Sequence, residues 1–118
     1  MDLKIILITF LFILNSCAFA KNNQNVGNSE KNFKNYALST CLANGYKSKE
    51  VISDAAAAAR GYLEFGDLPL EAHTEATLLG RNFLKKTYKS KSGAKLTLMK
   101  CLDFIHSHEL EAIYNKFK

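Results

Sequence analysis

The sequence after residue 31 lacks the alternation of apolar and polar side chains that marks half-buried strands. It also lacks runs of β-branched residues and internal repeats. Apolar residues recur there at spacings of three and four, which is typical of helices. The sequence therefore predicts an all-α fold, and its 118 residues are enough for one compact domain but not for two.

The patterns that usually accompany catalysis are also missing. No Gly-x-Ser-x-Gly and no Cys-x-x-Cys segment occurs, which argues against a serine hydrolase and a thiol oxidoreductase. His106 and His108 are two residues apart and do not share a helix face, which disfavours a metal site. Glu64, Asp67 and Glu71 are close in sequence, but helix capping already accounts for Asp67. We expect no catalytic, cofactor-binding or metal-binding residues and no enzyme activity.

Only one long apolar run occurs, at residues 5–14. Lys4 precedes it and Ala-Phe-Ala follows it at residues 18–20, an arrangement typical of a signal peptide cleaved after Ala20. The run is shorter than the roughly 20 apolar residues of a membrane-spanning helix. We therefore expect an exported mature chain that is not in a membrane. Lipid attachment at Cys17 is the alternative, because Leu-Asn-Ser before it partly fits the lipoprotein pattern.

Two cysteines, Cys41 and Cys101, remain if Cys17 leaves with the signal peptide. An even pair in an oxidising compartment predicts a disulfide. The bond would close a loop of about 60 residues and add roughly 4 kcal/mol to the free energy of unfolding by the chain-entropy treatment. Two buried free thiols are the alternative.

The formal net charge is +5. Outside the cytoplasm a basic surface is suited to an acidic protein, the anionic cell wall or a membrane surface rather than to nucleic acid. A basic surface that serves only solubility is the other interpretation.

A flexible segment at residues 21–31 is predicted to precede a bundle of helices that occupies residues 32–118. The five helices are expected at about 32–43, 49–65, 68–88, 96–106 and 108–117. Ser48, Asp67 and Ser107 stand where their side chains could cap a helix amino terminus. Asn44-Gly45 could end the first helix in the left-handed conformation. Residues 89–95 (KSKSGAK) are expected to form an exposed basic loop.

The inward face of each predicted helix follows from the helical spacing of its apolar residues. These faces comprise Phe33, Ala37 and Cys41 in the first helix; Val51, Ile52, Ala55, Ala59, Tyr62 and Leu63 in the second; Ala72, Leu78, Leu79, Phe83 and Leu84 in the third; Leu98, Cys101, Leu102 and Ile105 in the fourth; and Leu110, Ile113 and Tyr114 in the fifth. A bond between Cys41 and Cys101 would thus join the first helix to the fourth.

Three segments together resemble a known family. They are NYALSTCLA at residues 35–43, DAAAAARGYLEFG at residues 54–66 and LMKCLDF at residues 98–104. Their order, the two cysteines and the signal peptide are similar to those of the immunity proteins that neutralise amidase effectors of type VI secretion systems. Gly61-Tyr62, in the context of both cysteines, is the most specific part of the resemblance.

The resemblance implies an all-helical periplasmic protein, commonly a homodimer, that binds a papain-like peptidoglycan amidase and occludes its active site. In this family a helix of one subunit contacts the enzyme and a protruding loop of the other subunit occupies its cleft. Lys89, Ser90, Lys91, Ser92 and Gly93 suit that loop role, because the segment is flexible and basic.

Alternatives exist for both the loop and the function. The turn at residues 66–68 could enter the cleft instead, and residues 89–93 could be an ordinary solvated connection. A small periplasmic acid-stress chaperone is the alternative function. It would dissociate in acid and bind many clients, whereas an immunity protein would bind one partner tightly.

Overall fold

The computed structural model describes the backbone of residues 22–118 and the side chains of residues 28–118. It contains α1 (Asn22–Gly45), α2 (Lys49–Phe65), α3 (Leu70–Leu84), α4 (Thr97–Ile105) and α5 (His108–Phe117). No strand occurs in residues 22–118, so the predicted all-α bundle of about five helices is confirmed. The predicted signal peptide, its cleavage after Ala20 and Cys17 lie outside the described residues. In the described part of the chain no helix has the length and apolar character to cross a membrane.

The first helix starts earlier than predicted, at Asn22 rather than at about residue 32. Residues 22–31 have weak helix propensity, but adding turns to an existing helix needs no new nucleus. An ion pair between Lys34 and Glu30, with Nζ and Oε1 2.7 Å apart, supports this extension. The start of the helix was therefore predicted wrongly, while a domain boundary at residue 32 stays a prediction.

Helix caps follow the local sequence at two of three predicted positions. The Ser48 and Ser107 hydroxyls accept hydrogen bonds from the backbone N–H groups of Val51 and Leu110, so both caps are confirmed. Asp67 does not cap α3, whose amino-terminal cap is Pro69 without a side-chain hydrogen bond. α3 also ends at Leu84 instead of near residue 88.

Gly45, the last residue of α1, permits close packing of neighbouring helices and does not adopt a left-handed conformation. Among the glycines that the structure describes, Gly93 has a positive φ, whereas Gly45 does not. A Cβ atom at Gly45 would lie 2.5 Å from Thr97 Cγ2 and 2.8 Å from Leu84 Cδ2. The predicted left-handed cap is therefore wrong, and the glycine is needed because the ends of α3 and α4 both meet α1 at this point.

The core lies around α1, which packs against α2, α3 and α4, while α3 also packs against α4 and α5. Its buried residues are Phe33, Ala37, Cys41, Ala72, Ala76, Phe83, Cys101, Phe104, Leu110 and Tyr114. The predicted face of α1 is confirmed in full. In α2 only Ala55 and Ala59 are buried, and Val51 is exposed.

The predicted disulfide joins Cys41 of α1 to Cys101 of α4, with Cα atoms 5.7 Å apart. Both cysteines are buried. The bond spans a sequence separation of 60, so it fixes the position of α4, and of the segment before it, relative to the central helix.

The predicted inner face of α3 is confirmed at Ala72 and Phe83, which are buried, and Leu79 and Leu84 pack against the core, but Leu78 does not, and small residues occupy much of this face. Ala72, Ala76 and Gly80 are buried, whereas Leu78 is 53% exposed. A Cβ atom at Gly80 would lie 2.9 Å from Phe104 Cε1, so the small face admits the large side chains of neighbouring helices. Leu78 was predicted inside from the spacing of apolar residues, but close packing against the neighbouring helices requires small side chains on this face.

His73 also belongs to the inner face of α3, a position that the sequence interpretation missed. Its Nδ1 donates a hydrogen bond to the Pro69 carbonyl oxygen at 3.1 Å. The imidazole and the Tyr36 ring pack edge to face, with their centroids 4.6 Å apart and their planes at 90°. The available signal was its spacing from Ala72, Ala76 and Gly80, and the buried imidazole is satisfied within the fold.

The exposed face of α4 is more apolar than predicted. Cys101 and Phe104 are buried and Ile105 is partly buried, but Leu98 and Leu102 are largely exposed. The prediction placed the inner face about one residue, or 100°, away from its true position. The orientation of α4 is set by the disulfide at Cys101 and by the packing of Phe104 against Gly80.

Candidate partner-binding site

The segment between α3 and α4, residues 85–96, is here called the basic loop, and it includes all five predicted partner-binding residues. Lys89, Lys91, Ser92 and Gly93 are exposed and Ser90 is half-buried. The loop is therefore available to a partner, while its binding role stays a prediction.

The tip of the basic loop is a hydrogen-bonded turn. The Gly93 N–H donates to the Ser90 carbonyl oxygen at 3.3 Å, and the Ser92 N–H donates to Ser90 Oγ at 3.3 Å. Gly93 has φ of 75°, a conformation that glycine adopts without the penalty of a Cβ atom. These contacts give the tip a defined shape, although it was predicted only as a flexible segment.

The base of the basic loop is braced against α4. The Tyr88 hydroxyl donates to Asp103 Oδ2 at 2.5 Å, and Lys100 Nζ donates to the Leu84 carbonyl oxygen at 3.3 Å. The hydrogen bond to Asp103 raises the pKa of Tyr88, with desolvation and the Asp103 charge as smaller causes. Because Cys101 lies between these two braces in sequence and is bonded to Cys41, the loop is anchored to the centre of the bundle.

Leu96 ends the basic loop in the left-handed region, with φ of 55°. For a residue with a Cβ atom this conformation costs about 1–2 kcal/mol. The Lys100 N–H donates to the Leu96 carbonyl oxygen at 3.0 Å, which begins α4. The chain therefore turns sharply from the loop into the helix instead of entering it gradually.

Exposed lysines are concentrated at one end of the bundle, where Glu50 and Asp103 are also exposed, and three exposed acids lie at the other end together with Lys31. Asn32 of α1 contacts the Phe65 carbonyl at one end, and Gly45 of the same helix meets α3 and α4 at the other. A helix rises about 20 Å between these positions. The first end carries the exposed acids Glu64, Asp67 and Glu71. The end with the basic loop carries the exposed lysines Lys47, Lys49, Lys85, Lys86, Lys89, Lys91 and Lys95.

The alternative turn at residues 66–68 lies at the acidic end. It connects α2 to α3 through residues 66–69 alone. Leu68 is packed against the core, and the Asn32 side chain bonds the Phe65 carbonyl next to it. This turn is shorter than the basic loop and is fixed closer to the bundle.

The remaining candidate groups are not brought together. His106 and His108 are exposed, and His108 Nδ1 is 3.7 Å from Glu111 Oε2. No group of three potential metal-ligating side chains occurs among the residues that the structure describes. Sequence reasoning missed the apolar side chains exposed on α4 next to the basic loop, because it placed two of them in the core.

The chain is similar in sequence and structure to solved chains of effector–immunity systems. A solved chain from the effector–immunity system Tae4/Tai4 of Salmonella typhimurium (selenomethionine variant) is 35% identical, covering 75% of this chain and 87% of that chain, with a TM-score of 0.71. A chain from the Enterobacter cloacae Tae4–Tai4 effector–immunity complex is 24% identical over 72% of this chain and 87% of that chain, with a TM-score of 0.67. The latter likeness shows the fold alone.

No curated protein matches the chain. Residues 31–114 match the family Tai4, described as type VI secretion system (T6SS) amidase immunity protein. This match includes both cysteines, all of α2 to α4 and the whole basic loop. The chain belongs to the type VI secretion system amidase immunity protein family.

Proposed function

We propose that this protein binds an amidase effector of a type VI secretion system and occludes its active site, so that the producing cell is protected from its own or a sibling's effector. The family match over residues 31–114 carries this proposal. The Salmonella relative, 35% identical, comes from an effector–immunity system, which supports an amidase effector as the partner.

The basic loop is the element that we assign to the amidase cleft. It is exposed, its tip is held by Gly93 and Ser90, and its base is braced by the contact between Tyr88 and Asp103. A segment that is already ordered loses less conformational entropy on binding than a free one. Occlusion needs no catalytic group in the inhibitor, so the function requires only shape, charge and a rigid support.

The loop lysines contribute mainly to association. Positive side chains accelerate the encounter with an acidic surface and discriminate against partners of the wrong charge. Lys89 and Lys91 are exposed on the loop, where salt screens their charges strongly. Their contribution should therefore fall as ionic strength rises.

Localisation and assembly complete the proposal. A peptidoglycan amidase acts outside the cytoplasm, so the immunity protein is assigned to the periplasm, with the signal peptide at residues 1–20 directing export. The disulfide between Cys41 and Cys101 is consistent with an oxidising compartment. We further assign a homodimer in which one subunit supplies a helix and the other its basic loop to the same enzyme.

The decisive experiment combines binding with inhibition. The oxidised mature chain is mixed with the amidase encoded beside it, and binding and peptidoglycan digestion are both measured. Tight binding with loss of digestion supports the function. An amidase that stays unbound and fully active in excess of the chain refutes it.

A charge reversal tests the role of the basic loop. Lys89→Glu with Lys91→Glu should weaken binding about tenfold or more at low salt, mainly by slowing association. Lys31→Glu with Lys118→Glu is the matched control, because both residues are exposed and the change in net charge is the same. Equal effects of the two pairs would show that only net charge matters and that the contact lies elsewhere.

A further inference from the structure

A shallow apolar groove lies beside the basic loop, and three large apolar side chains of α4 are exposed in it. It encloses about 770 Å³ and is lined by residues that include Gly45, Tyr46, Ala94, Leu98, Met99 and Leu102. On α4, Leu98 is 49% exposed, Met99 is 52% exposed and Leu102 is 41% exposed. These three lie within one helical turn of each other and form a single face.

This face is not needed to attach α4 to the bundle. Cys101 and Phe104, on the other side of the helix, are fully buried and hold it in place. Burial of apolar surface stabilises a protein by about 25 cal/mol for each Å², and this stabilisation is absent where the surface stays in water. Exposed apolar side chains gathered on one face are characteristic of interaction sites, whereas single ones are ordinary.

We propose that the groove is a second contact surface for the amidase, and that it receives apolar side chains from the rim of the cleft that the basic loop enters. The inference rests on the proposed function and adds a surface to it. Gly93 at the loop tip is followed directly by Ala94, which lines the groove. A residue spans at most about 3.6 Å, so an enzyme that surrounds Gly93 also lies next to the edge of the groove.

The charged residues of the groove favour binding of the amidase rather than of a second copy of this chain. Lys47 and Lys95 line the groove together with Asp103, and accepting the Tyr88 hydroxyl does not cancel the charge of that carboxylate, so the three side chains carry a formal net charge of +1. Two copies meeting at their grooves would bring two linings of net positive charge together, which is unfavourable. If the rim of the amidase cleft carries apolar side chains flanked by carboxylates, the apolar side chains would pack against the leucines and the carboxylates would pair with the lysines.

The groove also provides large apolar side chains for the complex, which the basic loop does not. Charged residues at the edge of an interface mainly set the association rate, whereas large apolar side chains near its centre determine the dissociation rate. Leu98 and Met99 line the groove together with residues of the loop and of the end of α1. They are the anchors of the complex in this proposal, and the lysines guide its formation.

The test compares two sets of exposed apolar residues in the full mature chain. Leu98→Ser with Met99→Ser should raise the dissociation constant for the amidase at least tenfold, mostly through faster dissociation. Leu70→Ser with Leu78→Ser is the matched control on α3, because these residues are 65% and 53% exposed and do not line the groove. This pair should change the dissociation constant less than twofold. Melting curves check that each variant is folded.

The outcomes separate this inference from the proposed function. Unchanged affinity of the Leu98 and Met99 variant, with the wild type still inhibiting, overturns the groove and leaves the function standing. A wild-type chain that does not bind the amidase overturns the function itself. If the variant instead converts a wild-type dimer to a monomer in sedimentation, or abolishes binding to phosphatidylglycerol vesicles, the groove has another occupant and the inference is wrong.

Discussion

Removal of the disulfide should cost a large part of the stability of this domain. The perturbation is Cys41→Ala with Cys101→Ala, which removes the bond without leaving a buried thiol or hydroxyl. With a sequence separation of 60, the chain-entropy treatment gives a loss of about 4 kcal/mol in the free energy of unfolding. Loss of two buried sulfur atoms from the core adds about 1 kcal/mol or more. Native domains have only about 5–15 kcal/mol in total.

The assay is thermal and urea unfolding followed by circular dichroism. For a domain of this size, each kcal/mol shifts the melting temperature by roughly 4–8 °C, so a decrease on the order of 20 °C is expected. Reduction of the wild type should give most of the same decrease, because it breaks the bond but keeps the sulfur atoms. A double variant that melts within a few degrees of the oxidised wild type would refute the reasoning.

Other predictions concern the close packing at α1 and the bracing of the basic loop. Gly45→Ala should destabilise the fold by about 1–3 kcal/mol in urea, because the new methyl would overlap Thr97 Cγ2. Gly61→Ala is its control and should stabilise by up to about 1 kcal/mol, since a Cβ atom there meets no other atom within 4 Å. Asp103→Asn should lower the pKa of Tyr88 toward its ordinary value of 10.0, because its hydrogen bond to Asp103 is the main cause of the raised pKa. Phenolate absorbance measures this, with Tyr88→Phe to identify the signal.

The pH dependence of the brace follows from the same shift. The pKa of Tyr88 is raised in the folded protein, so the contribution of its hydrogen bond to stability is complete below the unfolded value of about 10. It is lost as the pH rises through the folded pKa. The wild type should therefore lose its stability advantage over Tyr88→Phe in strongly alkaline solution, and an advantage that grows with pH would contradict the assignment.

Features that depend on neighbouring residues in the chain could be predicted from the sequence. Ser48 and Ser107 cap their helices because the N–H groups they satisfy are three residues away. The disulfide followed from cysteine parity and the expectation of export. The location of the basic loop followed from its clustered serines, glycine and lysines.

Features that depend on tertiary contacts could not be predicted in this way. The orientation of α4 is fixed by Phe104 against Gly80, and the apolar pattern of α4 alone is compatible with several orientations. The burial of His73 depends on Tyr36 and Phe33 of another helix. The brace between Tyr88 and Asp103 joins residues 15 apart across an irregular segment. The exposed basic loop could therefore be predicted from the sequence, and its binding role stays a prediction, whereas the contacts that hold the loop and the apolar groove beside it depend on tertiary structure.

The contact at Gly45 has a consequence for how the protein can change over time. Leu84 and Thr97, just outside the two ends of the basic loop, both lie against this glycine. The separation between the ends is therefore set by a helix that is not part of the loop. Substitutions at the exposed tip can alter charge and shape without moving the points from which the loop emerges. We expect variants of this scaffold to exchange tip sequences freely, and so to follow an altered enzyme, while the glycine in α1 stays unchanged.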